Sequence, residues 1–326
     1  MPDVRHRVVE TNGLRMHVAE LGEGPAVLFC HGFPECWYSW RHQLRALADA
    51  GYRAVAPDQR GYGETDAPAA IEQYTILHLV GDLVGLLDAL GAPTAVVVGH
   101  DWGASVAWQA ALMRPDRFPA VAALSVPFPQ RGPARPLEAA RRSLGDRFFY
   151  WLYFQEPGVA EAELERDVRA SLRRFLYALS GEAPAGGAWQ PVAAGARRGL
   201  LDGLPEPPGL PAWVTEADLD VYARALERTG FRGGLNWYRN IDRNWELTAA
   251  WQGARVSVPA LFLIGDRDNV LQIPGMRARL ERLPESVPQL RRLVTLPGCG
   301  HWIQQERAAE VNAALLEFLA AVYPAA

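Results

Sequence analysis

Lysine is missing from this sequence. All 33 of its basic residues are arginine, they are mixed with 37 acidic residues along the chain, and the net charge is −4. Together with the abundant alanine, an all-arginine set reads as the coding bias of a GC-rich, bacterial genome and carries no functional message. Because neither sign clusters, there is no basic stripe for nucleic acid and no polybasic patch for a membrane surface. Cysteine is scarce. Cys30, Cys36 and Cys299 are odd in number and do not make a disulfide framework, which fits a reducing cytoplasm. There is no C-x-x-C and no H-E-x-x-H, so no metal site is expected. The most apolar stretches, such as PALFLIG at 259–265, fall far short of the ~20 residues a helix needs to cross a bilayer. The N-terminal MPDVRHRVVETNG has no apolar run of the signal-peptide kind, so no secretory signal is expected.

What is present is ordinary globular material, 49% hydrophobic and 21% charged. Short apolar runs recur: PAVLFC (25–30), RAVAPD (53–58), TAVVVG (94–99), AVAALSVP (120–127), PALFLIG (259–265) and RRLVTLPG (291–298). Such runs fit strands buried on both faces of a parallel sheet. Helical spacing lies between them, in LHLVGDLVGLLDALG (77–91), SVAWQAALMRP (105–115) and AAEVNAALLEFLAAV (308–322). The alternation predicts an α/β fold with a mainly parallel sheet flanked by helices. At the N-terminus, RHRVVETNGLRMHVAEL carries an Asn-Gly turn and reads as an antiparallel hairpin. From about 130 to about 250 the strand rhythm stops. VAEAELERDVRASLRRFLYAL (159–179) and TEADLDVYARALER (215–228) read as helices on either side of a Gly/Pro/Ala-rich loop at 181–212. The expected organisation is therefore a core in two parts, 1–130 and 251–326, with a helical insertion at 131–250.

VVVGHDWGAS, at 96–105, has the form of a nucleophile elbow: an apolar run, then small-x-nucleophile-x-small, then a helix. The usual apex is serine, and here it is Asp101. A nucleophile needs a base. Of the seven histidines, His6 and His17 fall in the hairpin, and His42 and His78 on helix-like surfaces. His100 neighbours the apex and points away from it, and His31 opens the HGFP turn. His301, in GCGHW beyond the last strand run, can reach the elbow at the same sheet edge. The acid that would orient it is Asp266 or Asp268, in GDRDNV after the run at 259–265. Glu35 and Asp58 read as structural anchors.

LFCHGFPECWYSWRHQ, DQRGYGETDAP, VVVGHDWGASVAW, LIGDRDNV and GCGHWIQQE together resemble an α/β-hydrolase of the soluble epoxide hydrolase family. Within the insertion, YWLYFQEPGVAEAELE (150–165) and FRGGLNWYRNIDRNWELT (231–248) resemble that family's cap. The resemblance implies Asp268 as the acid and places one tyrosine from each cap segment opposite the nucleophile. These are Tyr150 and Tyr238, with Tyr153, one helical turn on, as the rival to Tyr150. Mammalian members carry an additional phosphatase domain, and no activity or dimer that depends on it is carried over.

The resemblance also explains the aspartate. Serine attack on an epoxide would leave an ether, whereas carboxylate attack leaves an ester that water can cleave. The implied reaction opens an epoxide with Asp101 while Tyr150 and Tyr238 donate hydrogen bonds to its oxygen. His301, oriented by Asp268, then activates water against the ester. Backbone N–H groups of Phe33 and Trp102 would hold the oxyanion, a contribution of about 10²–10³ in rate per donor. Phe33, Trp102, Phe148 and Trp237 are expected as apolar walls. The partners are a small epoxide and water, with no cofactor. A haloalkane or haloacid dehalogenase is the rival, since it shares the aspartate, base and acid. Departing halide needs no proton, so two converging phenols weigh against that rival, and the arginine expected after a haloacid dehalogenase's aspartate is replaced by Trp102.

Overall fold

The structure, a computed structural model, describes residues 3–184, 189–193 and 199–325. It begins with the hairpin. Strands β1 (Arg5–Thr11) and β2 (Leu14–Leu21) pair antiparallel from Arg5↔Glu20 to Thr11↔Leu14. Asn12 and Gly13 turn the corner with φ of 46° and 75°, the left-handed pair that a two-residue hairpin turn requires. Six further strands complete the sheet: β3 (Ala26–Cys30), β4 (Arg53–Pro57), β5 (Ala95–His100), β6 (Val121–Leu124) and, beyond a two-stranded ladder of β7 (Phe148–Phe149) with β8 (Val192–Ala193), β9 (Ala260–Gly265) and β10 (Leu290–Leu296). The order is β1-β2-β4-β3-β5-β6-β9-β10. Within this eight-stranded sheet only the pairings made by β2 are antiparallel.

The apolar runs are strands because both sheet faces are covered. Alternate residues of β3 and β5 show it. Leu28 and Val97 pack beneath α2 (Ile76–Ala89) and α3 (Trp102–Met113), while Val27, Phe29, Val96 and Val98 pack against α1 (Arg41–Asp49) and the helix Ala308–Val322. Every residue of β3, β5, β6 and β9 is buried. β10 departs from the expectation of burial on both faces: it is the sheet edge, and its residues are half-buried or exposed.

Between β6 and β9 the chain forms seven helices among the described residues: α4 (Pro136–Leu144), α5 (Tyr150–Tyr153), α6 (Val159–Leu164), α7 (Val168–Ala178), α8 (Glu216–Thr229), α9 (Arg232–Arg239) and α10 (Ile241–Leu247). Two features differ from the sequence reading. The stretch is not free of strands, because β7 and β8 pair Phe148 with Ala193 and Phe149 with Val192. The single helix expected over 159–179 is two, because Asp167 leaves the helical conformation and its carboxylate accepts from the Ala170 N–H at 2.9 Å, capping α7 afresh. The loop expected at 181–212 lies partly outside the described residues, at 185–188 and 194–198. Among the described residues no helix is long and apolar enough to cross a membrane.

Candidate active site

Four loops leave the carboxyl ends of β3, β5, β9 and β10 and carry Phe33, Asp101, Asp268 and His301. Asp101 stands at the sharp turn between β5 and α3 with φ 53° and ψ −120°. That is a strained conformation for a residue with a Cβ. The glycines on either side are demanded by contact. A Cβ on Gly99 would lie 2.1 Å from the Gly103 carbonyl oxygen, and one on Gly103 would lie 2.0 Å from that of Cys30. The small-x-Asp-x-small spacing is thus what lets the turn press against β3.

The Asp101 carboxylate is held on two sides. Its Oδ1 accepts from the Phe33 N–H at 2.9 Å. Its Oδ2 lies 3.5 Å from His301 Nε2. On the far side of the ring, Nδ1 lies 3.0 and 3.2 Å from the two carboxylate oxygens of Asp268. Asp268 is itself fixed by the Val270 N–H at 2.9 Å. Asp266 turns elsewhere and accepts from the Gly298 N–H at 2.7 Å, so it only tightens the loop. Trp102 is the first residue of α3, where a backbone N–H has no partner within the helix.

Burial alone would raise the Asp101 pKa and lower that of His301. The charges override burial at both groups. The hydrogen bond and charge of His301, aided by His100 and the Phe33 N–H, hold Asp101 below the usual carboxylate range. The carboxylates of Asp268 and Asp101 hold His301 well above the usual imidazole value. The resting pair is therefore carboxylate and imidazolium.

Tyr150, at the start of α5, and Tyr238, in α9, face this pair from the helical segment. Their rings are 5.8 Å apart, and Tyr238 packs edge-on to Trp102 at 5.1 Å and to Phe33 at 5.5 Å. Burial, then the charge of Asp101, pushes both phenols upward, so each is a neutral donor at neutral pH. Tyr153 is committed elsewhere, since its hydroxyl donates to Glu163 at 2.8 Å.

Two cavities meet at Asp101, Tyr150 and Tyr238. One, of about 410 Å³, runs past Trp102, Leu112, Phe128 and Trp245 and is mostly apolar. The other, of about 30 Å³, is bounded by His301 and Phe33. It has room for one or two water molecules, since one needs ~10–15 Å³ by this measure.

Two of the expected walls belong to neither cavity. Trp237 sits behind Trp102, and its indole N–H donates to the Arg60 carbonyl at 3.2 Å. On a helix, its neighbour Tyr238 necessarily points elsewhere. Phe148 lies in the β7–β8 ladder and packs on Tyr153. The structure also tightens the reading of Glu35. Its buried carboxylate accepts from Gly32 N–H, Gln304 and Gln305 and meets His100 Nδ1 at 2.8 Å, while His100 Nε2 meets the His301 carbonyl at 2.8 Å. It ties the turn that carries Phe33 to the loop that carries His301. Asp58 plays the lesser part, accepting from His17 and from the Trp37 and Glu64 N–H groups. Arg131 and Arg279 also line the larger cavity. Sequence reasoning missed them, and no local signal marks an arginine that the fold turns inward.

Residues 25–308 match the family model described as the alpha/beta hydrolase fold. The chain is 53% identical over 315 residues to "Epoxide hydrolase A" of Mycobacterium tuberculosis, covering 96% of each chain. It is 47% identical to "Epoxide hydrolase 2" of Siraitia grosvenorii, covering 98% of this chain and 99% of the relative. The crystal structure of epoxide hydrolase A from Mycobacterium thermoresistibile superposes with a TM-score of 0.91 at 53% identity, covering 97% of this chain and 98% of that one.

Proposed function

The chain belongs to the epoxide hydrolases of the alpha/beta hydrolase fold, and on that premise we propose how its residues convert an epoxide to a vicinal diol. Asp101 is the nucleophile. With Oδ1 engaged by the Phe33 N–H, Oδ2, which lies 3.5 Å from His301 Nε2, is the oxygen that attacks an epoxide carbon in line with the breaking C–O bond. Tyr150 and Tyr238 donate to the epoxide oxygen as it becomes an alkoxide. The product of this half is a hydroxyalkyl ester of Asp101. The proton gained by the alkoxide is balanced by the one His301 gives up once its carboxylate neighbour is neutralised.

Neutral His301, oriented by Asp268, then takes a proton from water, and the hydroxide adds to the ester carbonyl carbon. Oδ1 becomes the oxyanion and already lies at the Phe33 N–H, with Trp102 N–H as the second donor. Collapse releases the diol and restores the carboxylate–imidazolium pair. Atoms and protons balance with substrate, water and these side chains alone. The compartment beside His301 suits the water, and the apolar cavity, with Trp102 on its wall, suits the substrate. Residues 131–250 act as a cap over the core formed by 1–130 and 251–326. The three buried free thiols suit a reducing compartment such as the cytoplasm.

The observation that carries this mechanism is the double hold on Asp101, by Phe33 on one oxygen and His301 on the other. With aryl epoxides, Asp101→Ala is expected to make no diol. Tyr150→Phe with Tyr238→Phe should lower kcat/KM by about 10²–10⁴. His301→Gln should accumulate a covalent adduct whose mass equals enzyme plus substrate, read by intact-protein mass spectrometry. No adduct in His301→Gln, or halide release from haloalkanes that survives the double tyrosine change, would overturn it.

A further inference from the structure

One wall of the larger cavity is a single face of α3. Trp102, Ser105, Gln109 and Leu112 all line it, and intervals of three, four and three residues put side chains on one stripe of a helix. Leu112 suits the apolar residues elsewhere around the cavity, among them Phe128, Ile241 and Trp251. Gln109 does not. It is only 8% exposed, and its Oε1 is buried with no hydrogen-bond partner. Its Nε2 donates to no group among the described residues. Several other polar side chains on the wall are engaged. Asn244 Oδ1 accepts from the Ile76 N–H at 2.7 Å, and the Thr248 hydroxyl donates to the Asn244 carbonyl at 2.7 Å. Arg131 Nε donates to the Trp245 carbonyl at 2.8 Å.

A primary amide carries two donors and an acceptor oxygen. Leaving it buried and unpaired is unfavourable. Packing does not require an amide here, since methionine fills a similar volume in an apolar setting without that penalty. The torsion that turns the amide is soft, so either end can be brought to the cavity. The ligand group that satisfies both ends is one that donates and accepts, and a hydroxyl does both. At a rise of 1.5 Å per residue, Gln109 stands about 12 Å along the α3 axis from Asp101. Its side chain leans back toward the helix N-terminus, past Ser105. An epoxide at Asp101 and a hydroxyl at Gln109 are thus separated by a span that the apolar walls suit.

From this arrangement we propose that Gln109 is a specificity-determining residue that hydrogen-bonds a substrate hydroxyl, so that the favoured substrates are epoxides joined by an apolar spacer to a hydroxyl group. The proposal rests on the epoxide hydrolase reading and names the substrate class for it.

The test is a series of terminal epoxyalkanes with a hydroxyl on the far carbon, in increasing chain length, each run beside its unsubstituted parent. Removing a hydroxyl from water disfavours the hydroxylated member at every length. Only at the length that reaches Gln109 is that loss recovered. In the wild type the ratio of hydroxylated to parent kcat/KM should therefore peak at one length, about three- to tenfold above its value at shorter and longer spacers, the scale of one or two neutral hydrogen bonds. The peak should sit mainly in KM. In Gln109→Met it should flatten. Calorimetric binding of the matching triol should weaken about three- to tenfold in Gln109→Met, a readout independent of turnover. A thermal melt checks that the variant is folded. A ratio without a peak in the wild type, a peak that persists in Gln109→Met, a peak removed by Ser105→Ala instead, or unchanged triol binding would each overturn the proposal. Failure to make diol from any epoxide, parents included, would instead strike the catalytic reading, and the binding measurement would still decide on Gln109.

Discussion

Asp101 and His301 hold each other's charge, and the proposed cycle depends on that hold being broken once per turnover. While Asp101 is ionised, His301 is kept protonated despite its burial. Esterification removes the Asp101 charge and leaves the burial in place, so the imidazole becomes a base when one is needed. Asp101→Asn imitates the ester. In that variant the His301 titration, followed by imidazole NMR, should shift down by about one to three pH units, the usual effect of one close opposite charge. An unchanged titration would mean that Asp268 alone sets the protonation state. The linkage has a definite sign. A histidine raised in the folded state stabilises the fold fully below ~pH 6.5, and that contribution is lost as pH rises through its folded value. The high-pH loss in wild type should therefore begin at a lower pH in Asp101→Asn.

Elements settle what residue types alone leave open. Asp218 shows how one carboxylate serves two levels of structure. Its Oδ2 accepts from the Thr215 N–H at 2.8 Å and from the Thr215 hydroxyl, closing the capping box of α8, while its Oδ1 accepts from the Tyr38 hydroxyl at 2.7 Å and lies 3.5 Å from Arg41. Thr215→Ala removes only the cap and should cost about 1 kcal/mol. Asp218→Ala also undocks α8 from the core and should cost about 2–3 kcal/mol. Urea unfolding measures both, and equal costs would mean the Tyr38 and Arg41 contacts contribute nothing. Much of this level was legible beforehand, because the Asn12-Gly13 turn and the strand runs are local signals. The break at Asp167 was hidden because apolar residues continue at helical spacing across it. Trp237 and Phe148 were misplaced because adjacency to a motif does not say which face a side chain takes. Tyr150 and Tyr238 were reachable only through family resemblance.

At the scale of the whole molecule, the helical segment and the core share the groups that position His301. The His301 N–H donates to the Leu179 carbonyl at 2.8 Å, and the Trp302 indole N–H to the Leu176 carbonyl at 3.1 Å, both acceptors lying at or just beyond the end of α7. The Tyr222 hydroxyl, from α8, donates to Gln305 at 2.8 Å, and Trp237 of α9 donates to the Arg60 carbonyl. The fit is close enough that a Cβ on Gly181 would lie 2.2 Å from the Gly298 carbonyl oxygen. Lifting the helices away would leave these groups unsatisfied, each at about 1–3 kcal/mol where it stays buried. Local opening should therefore cost nearly as much as global unfolding. Hydrogen exchange followed by mass spectrometry tests this directly. Peptides covering α7 and α9 should exchange with the same protection as peptides covering β5, and should lose it at the same urea concentration. If α7 and α9 lose protection well before β5, the segment is a lid that opens on its own, and substrate entry is gated by its undocking rather than by the mouth of the apolar cavity.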